Sequence, residues 1–468
     1  MMNRRLPAWV VFFYGLLASN AFAEDDMRAL VKELVTQVKA LKEQVAQSNA
    51  RIDELEQKLQ QTHHSQAQAQ SVSPVAPSPT LAAAKDVQAT EGKPLVTAGD
   101  VKDTIKFPGT DTSIGIGGFV KLDTLFSNVG MGENKFGNQR LEIAQIPVGP
   151  VPRGDDDQIS LHAKESRFWF KSFTPTQWGN INTYLELDFY GDAGTTNYTP
   201  RLRHAYGSLG NLLAGQTWTT FLNSQAIADT LDNGNSVGSV LLLRQPLLRW
   251  TQPFSLAGLA MDWQLAAEAP RSRVWDAATQ NMRSVSNSHY PDGVARLNFY
   301  PRWGNVSLAA LGRQLKFTPA LTQTEQSVWG GAVSVAGKID TFDADNLRFM
   351  LSYGNVLGRY AANDFFEDGV ITAAGELEPL VSYSGLLAYQ HWWDKSWRST
   401  LALGFTRADQ PGFAALANQE AQSIHANLLW NPIMQTTIGL EYIYANRELT
   451  NGQSGELQRV QFSTRFNF

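Results

Sequence analysis

The chain ends in RVQFSTRFNF (Arg459–Phe468), and the reading of this stretch decides the fold. Val460, Phe462, Thr464, Phe466 and Phe468 share one face of an extended strand, while Arg459, Gln461, Ser463, Arg465 and Asn467 share the other. A water-soluble sheet rarely ends on three exposed aromatics beside a free carboxylate. In a transmembrane barrel the first face meets lipid and the second a wet lumen. Working back from the end, comparable alternation covers 435–447, 420–430, 396–408, 380–391, 345–356, 326–338, 304–316 and 291–300. It continues through 258–269, 247–254, 211–218, 200–209, 179–191, 158–174 and 113–126. With 456–468 that makes sixteen segments, an even number, most near the ~9–11 residues that cross a bilayer tilted.

The connections alternate as the strands do. Long ones (127–157, 219–246, 270–290, 357–379) follow odd segments, and tight turns such as TPTQW, PFSL, PRWG and NPIMQ follow even ones. Outer-membrane barrels have long outer loops and short periplasmic turns. Trp178, Trp218, Trp303, Trp392, Trp393, Trp397 and Trp430 gather at segment ends, as in interfacial girdles. Closure with sixteen strands leaves an aqueous channel, so the architecture implies permeation. Composition agrees. Of 468 residues, 43% are hydrophobic, and mean hydropathy is −0.25, too low for a bundle of membrane helices. Without cysteine there is no disulfide framework, thiolate metal site or cysteine nucleophile. The net charge of −5 gives no reason to expect nucleic acid, and no cofactor is expected.

Ahead of the barrel, residues 1–23 read as a signal peptide, with Arg4 and Arg5 before an apolar core and Ala21-Phe22-Ala23 as the cleavage site. Residues 24–61 carry a heptad seam in which Val31, Val38, Val45 and Ile52 alternate with Leu34, Leu41 and Leu55, broken only at Ser48. This predicts a periplasmic coiled coil roughly 50 Å long and a protein that oligomerises. The seam leaves the number of chains open. Residues 62–112 follow as a flexible linker, rich at first in Gln, Ala, Ser and Pro.

Alternation also assigns lumenal charge. Phe168 and Phe170 facing lipid turn Arg167 and Lys171 inward, and Leu202 and Tyr206 outward would turn Arg201 and Arg203 inward. The same logic places Arg249, Arg296, Arg313 and Arg348 inside, since an Arg on the lipid face costs ~2–4 kcal/mol at mid-depth. Glu165, Glu186, Asp188, Asp262 and Glu441 also point inward, so part of this charge is self-neutralised. The remaining excess of arginine, whose planar fork suits carboxylates, points to anionic solutes. The connection Thr219–Gln245 is too apolar to hang in water. Folded into the barrel it forms a constriction loop, carrying Asp229, Asp232 and Arg244.

GIGGFVKLD (Gly115–Asp123), SRFWFKSFTPTQWGNINTYLELDFYG (Ser166–Gly191), PRLRHAYGSLGNLLAGQTWTTF (Pro200–Phe221) and the Phe-ended last strand resemble the DcaP-like outer-membrane porins. The resemblance covers about 113–468. It implies a sixteen-stranded homotrimeric porin with an N-terminal periplasmic coiled coil, taking up small negatively charged solutes, dicarboxylates in particular. The terminal Phe468 resembles the signature read by the barrel assembly machinery. Two other functions compete. A structural tether between outer membrane and cell wall would not need sixteen strands. A hydrolase has only the spelling Gly234-Asn235-Ser236-Val237-Gly238, without the strand–turn–helix elbow that gives G-x-S-x-G its meaning, and the pair Ser423 and His425. The expectation is a passive outer-membrane channel in the lipid bilayer, and no enzyme.

Overall fold

The computed structural model describes residues 97–468 except 131–135, 150–155, 193–194, 235, 239–242, 286–287, 319–324 and 362–364. The expected signal peptide, coiled coil and first part of the linker lie outside the described residues.

The strands follow the alternation closely. They are β1 (Ser113–Val129), β2 (Asp156–His162 continued by Arg167–Thr174), β3 (Ile181–Asp188), β4 (Arg201–Leu209), β5 (Leu212–Trp218) and β6 (Arg244–Leu256). Next come β7 (Leu259–Glu268), β8 (Asp292–Tyr300), β9 (Gly304–Phe317), β10 (Gln326–Asp340) and β11 (Asn346–Gly354). The last are β12 (Ser382–Trp392), β13 (Trp397–Ala408), β14 (Asn418–Trp430), β15 (Thr436–Leu449) and β16 (Ser454–Asn467). Each pairs antiparallel with the next, and β16 pairs with β1 from Phe119↔Asn467 to Ser127↔Arg459. The barrel is closed, with sixteen strands and no free edge. Phe468 latches the seam, since its N–H donates to the Gly118 carbonyl and its own carbonyl accepts from Gly118 N–H, both at 3.1 Å.

Of the bulges in the barrel, two adjust which side chains face inward near the lumenal arginines. Asp123 pairs with His162 and Phe119 with Arg167, so β2 spends one residue more than β1 across 163–166. Ser166 mends the gap, its Oγ accepting from Lys121 N at 3.0 Å. On β4, Glu186 pairs with His204 but Leu187 with Leu202, so Arg203 is the extra residue. Arg203 and His204 then both turn inward, and Tyr206 follows His204 onto the lumenal face opposite Tyr184. The expected outward Tyr206 is corrected by this bulge.

The long connections are not all plain loops. Ser272–Asp276 and Asn281–Val285 form a hairpin, Gly369–Ile371 adds to it in parallel, and Leu377–Pro379 completes a four-stranded sheet. Arg313, on the inner face of β9, holds this sheet. It donates to Asp368 Oδ1 (2.7 Å), the Arg271 carbonyl (2.5 Å) and Ser272 Oγ (2.8 Å), with Asp292 3.3 Å away. At 0% exposure it does not face open lumen.

Candidate functional site

The connection between β5 and β6 folds inside the barrel, and its contacts run strand by strand along the inner wall. Glu268 on β7 accepts from Thr219 Oγ1 and Thr220 N, both at 2.7 Å. Arg296 on β8 donates to the Leu222 carbonyl. Asn223 Nδ2 donates to Asn305 Oδ1 (2.7 Å) and Ser307 Oγ (2.9 Å) of β9 and to the Ala336 carbonyl (3.3 Å) of β10. Arg348 on β11 donates to the Ile227 carbonyl. Gln390 on β12 and Arg398 on β13 both donate to Asp229 Oδ2 at 2.7 Å, and Asn427 on β14 donates to the Asp229 carbonyl at 2.8 Å.

Glu441 on β15 then accepts from Leu231 N (2.6 Å) and Asp232 N (3.4 Å). Lys121 on β1 and Gln461 on β16 donate to the Leu231 carbonyl, at 2.6 and 3.2 Å. Arg167 on β2 reaches Asn233 Oδ1 at 3.4 Å. Burial adds to this. Phe221, Leu222, Ala226 and Ala228 pack on Ala309, Ala332, Ala336, Ala388 and Ala402 of the inner wall. Small residues there leave room for the loop, and its apolar content, legible in the sequence, is what seats it.

Both loop carboxylates are already engaged. Asp229 is bound as above, and Asp232 accepts from Leu141 N at 2.9 Å with Arg459 Nη1 3.8 Å away. Neither is left to face the strands that the loop's hydrogen bonds do not reach among the described residues, β3 to β6. Of those strands β4 and β6, with β2, carry Arg201, Arg203, Arg244, Arg249 and Arg167. Arg201 makes a two-pronged bond to Asp188 (2.9 and 2.6 Å), and Arg203 bridges Glu186 and Asp188. Arg167 lies 3.4 Å from Glu165 and 3.9 Å from Glu186.

Arg244 and Arg249 differ. Among the described residues, neither has a carboxylate within ion-pair distance, and Arg244 Nη1 and Arg249 Nε are buried without a hydrogen-bond partner. The Arg244 guanidinium lies 4.6 Å from the Trp218 ring centroid, and Trp218 stands edge-on to His204 at 5.3 Å. Trp169, Tyr184 and Tyr206 continue the aromatic surface, with centroid separations of 6.4 and 5.8 Å. Lys171, two residues further along the strand, sits 5.2 Å from the Trp169 centroid.

The cations named from alternation, with Arg244 of the constriction loop, thus separate into groups. Arg296, Arg348 and Arg313 hold loops. Arg201, Arg203 and Arg167 sit among carboxylates. Among the described residues, Arg244, Arg249 and Lys171 carry positive charge with no acid partner. Two cations outside that set belong to the same picture, Arg398 on Asp229 and Arg465, whose guanidinium lies 4.0 Å from the Phe119 centroid. The alternation of the last strand already put Arg465 on the polar face, and that of 396–408 does the same for Arg398. The hydrolase residues are otherwise engaged. Ser423 Oγ accepts from Val237 N at 2.9 Å, and His425 Nδ1 lies 2.9 Å from Glu441.

A closed barrel of sixteen antiparallel strands, a loop along its inner wall and a charged lumen define an outer-membrane channel, not an enzyme. The family model described as porin subfamily matches residues 106–452, and the chain belongs to that subfamily. Its barrel has the fold of the outer membrane channel DcaP of Acinetobacter baumannii, at 20% identity and a TM-score of 0.65, over 76% of this chain and 97% of that one. An anion-selective porin from Comamonas acidovorans aligns at 12% identity and a TM-score of 0.46, over 76% of this chain and 100% of that one. No curated protein matches the chain.

Proposed function

We propose that this channel passes small hydrophilic solutes by passive diffusion and prefers anions, dicarboxylates among them. The observation that carries the reading is an asymmetry of charge. The inner loop's Asp229 is bound by the wall behind it and its Asp232 by Leu141 N, while among the described residues Arg244 and Arg249 have no carboxylate partner. Unbalanced positive charge beside a narrowed aqueous path raises the local concentration of anions. Guanidinium groups add two-pronged recognition of a carboxylate, and two separated cations suit a diacid.

The assembly is a homotrimer in this reading, supported by the heptad seam of residues 24–61, which would hold the chains together on the periplasmic side. Phe468 serves as the signal for the barrel assembly machinery, supported by its place at the end of the closing strand.

Titration of single channels with succinate tests the solute class. Chloride current falls progressively with the diacid, with half-block on the order of 1 mM, worth about 4 kcal/mol of binding. A dication such as putrescine leaves the current unchanged. Equal insensitivity to both would remove the diacid from the proposal.

A further inference from the structure

The last residues before the barrel do not simply lead away from its periplasmic rim. Residues 97–106 form a small hairpin, with Ala98 bridged to Ile105 and Gly99 N donating to the Thr104 carbonyl at 2.9 Å. Ile105 and Lys106 pair with Ile114 and Ser113, so the hairpin extends the sheet at the foot of β1, below the end of β16. Its tip, Asp100–Thr104, turns onto the lumenal side. Ser113 and Gly115 share the inward parity of Lys121 and Asp123. Asp100 N donates to Ser113 Oγ at 2.9 Å, and Lys171 Nζ, inward on β2, donates to the Lys102 carbonyl at 3.1 Å.

Gly115 makes this seat possible, because a Cβ there would stand 2.7 Å from the Asp103 carbonyl oxygen. Asp103 takes the left-handed conformation, φ 59°, that the tight tip requires. Val101 and Thr104 then face Tyr184, Tyr206 and Leu213, on β3, β4 and β5, across a cavity of about 410 Å³. The tip therefore overhangs the lumen from β1 past β2.

We infer that the turn Asp100–Thr104 is a pore-lining sill, a second constriction on the periplasmic side of Arg244 and level with Arg249, the cross-strand partner of Leu213, built by the chain that links the barrel to its N-terminal segment. Solute that has passed Arg244 leaves between this sill and the wall of β3 to β5. The sill narrows the path for any ion and so does not depend on the channel's preference for anions.

The chain has no cysteine, so one introduced thiol is labelled uniquely. In the full chain, Val101→Cys treated with the anionic reagent sulfonatoethyl methanethiosulfonate loses about a third or more of its single-channel conductance, and dithiothreitol restores it. The same label at Met434→Cys, at the exposed β14–β15 turn, has no effect. Gly115→Val, which displaces the tip without shortening the chain, raises conductance. Unchanged conductance in Val101→Cys, with full labelling proved by mass spectrometry, would overturn the inference. So would a Gly115→Val channel with wild-type conductance.

Discussion

The double exchange Arg244→Glu and Arg249→Glu turns the proposed anion preference of the channel into a cation preference. Each exchange changes the local charge by two units where no carboxylate lies within ion-pair distance among the described residues. At ~6 Å from a passing ion in a water-like medium, one unit is worth roughly 0.7 kcal/mol. Each site then shifts an anion and a cation by ~1.4 kcal/mol in opposite directions, ~2.8 kcal/mol in their difference, an unscreened limit of about a hundredfold in permeability ratio. Salt in the lumen screens most of this, so the two exchanges together give about tenfold to a hundredfold, read as a shift of zero-current potential under a salt gradient. Arg407→Glu is the control, since Arg407 is already paired with Glu420 at 2.9 Å and is largely exposed; it leaves the potential nearly unchanged. The shift also shrinks as the Debye length falls from ~10 Å at 0.1 M to ~3 Å at 1 M salt. An effect as large for Arg407→Glu would mean that overall charge, and not this row, sets selectivity.

Glu441→Ala releases the inner loop. The carboxylate is fully buried and gathers Leu231 N, Asp232 N, His425 and Asn427, the last at 3.0 Å. Removing it strands two backbone donors and a buried histidine, at ~1–3 kcal/mol for each unsatisfied group. The barrel ladder is untouched, because β14, β15 and β16 keep their backbone pairing. The loss therefore falls on the loop tip. The variant resists SDS at room temperature as the wild type does, but its open-channel current becomes noisy and its mean conductance departs from the wild-type value. Glu441→Gln retains an acceptor and behaves between the two. A quiet Glu441→Ala channel of normal conductance would show that the loop is held elsewhere.

Much of this was legible from alternation, for a physical reason. Lipid penalises polar groups on one face of every strand, so the period of two survives along the barrel wherever a strand crosses. Counting outward from Phe168 and Phe170 gave the right face for Arg167 and Lys171, although the bulge at 163–166 lies just upstream. Counting from Leu202 failed at Tyr206, because the bulge at Arg203 sets two polar residues, Arg203 and His204, side by side on the inner face, which a count of two does not register. Alternation also assigns a face without saying whether space on that face is already filled. Arg313 and Arg348 point inward, yet loop segments occupy the space they meet, and the contacts responsible join residues far apart, as Arg313 with Asp368. The apolar content of 219–245 predicted an infolded loop. That Asp229 turns its back on the arginine row depends on Gln390 and Arg398, more than a hundred residues away.

The central claim is that uncompensated arginine beside the inner loop makes this porin prefer anions. Its most direct test is the zero-current potential of the purified wild-type protein in a neutral planar bilayer, between about 0.1 M and 1 M potassium chloride. A potential of the sign set by chloride is the predicted result. A potential of the sign set by potassium would contradict it, leaving the barrel and its infolded loop in place but the assignment of Arg244 and Arg249 wrong.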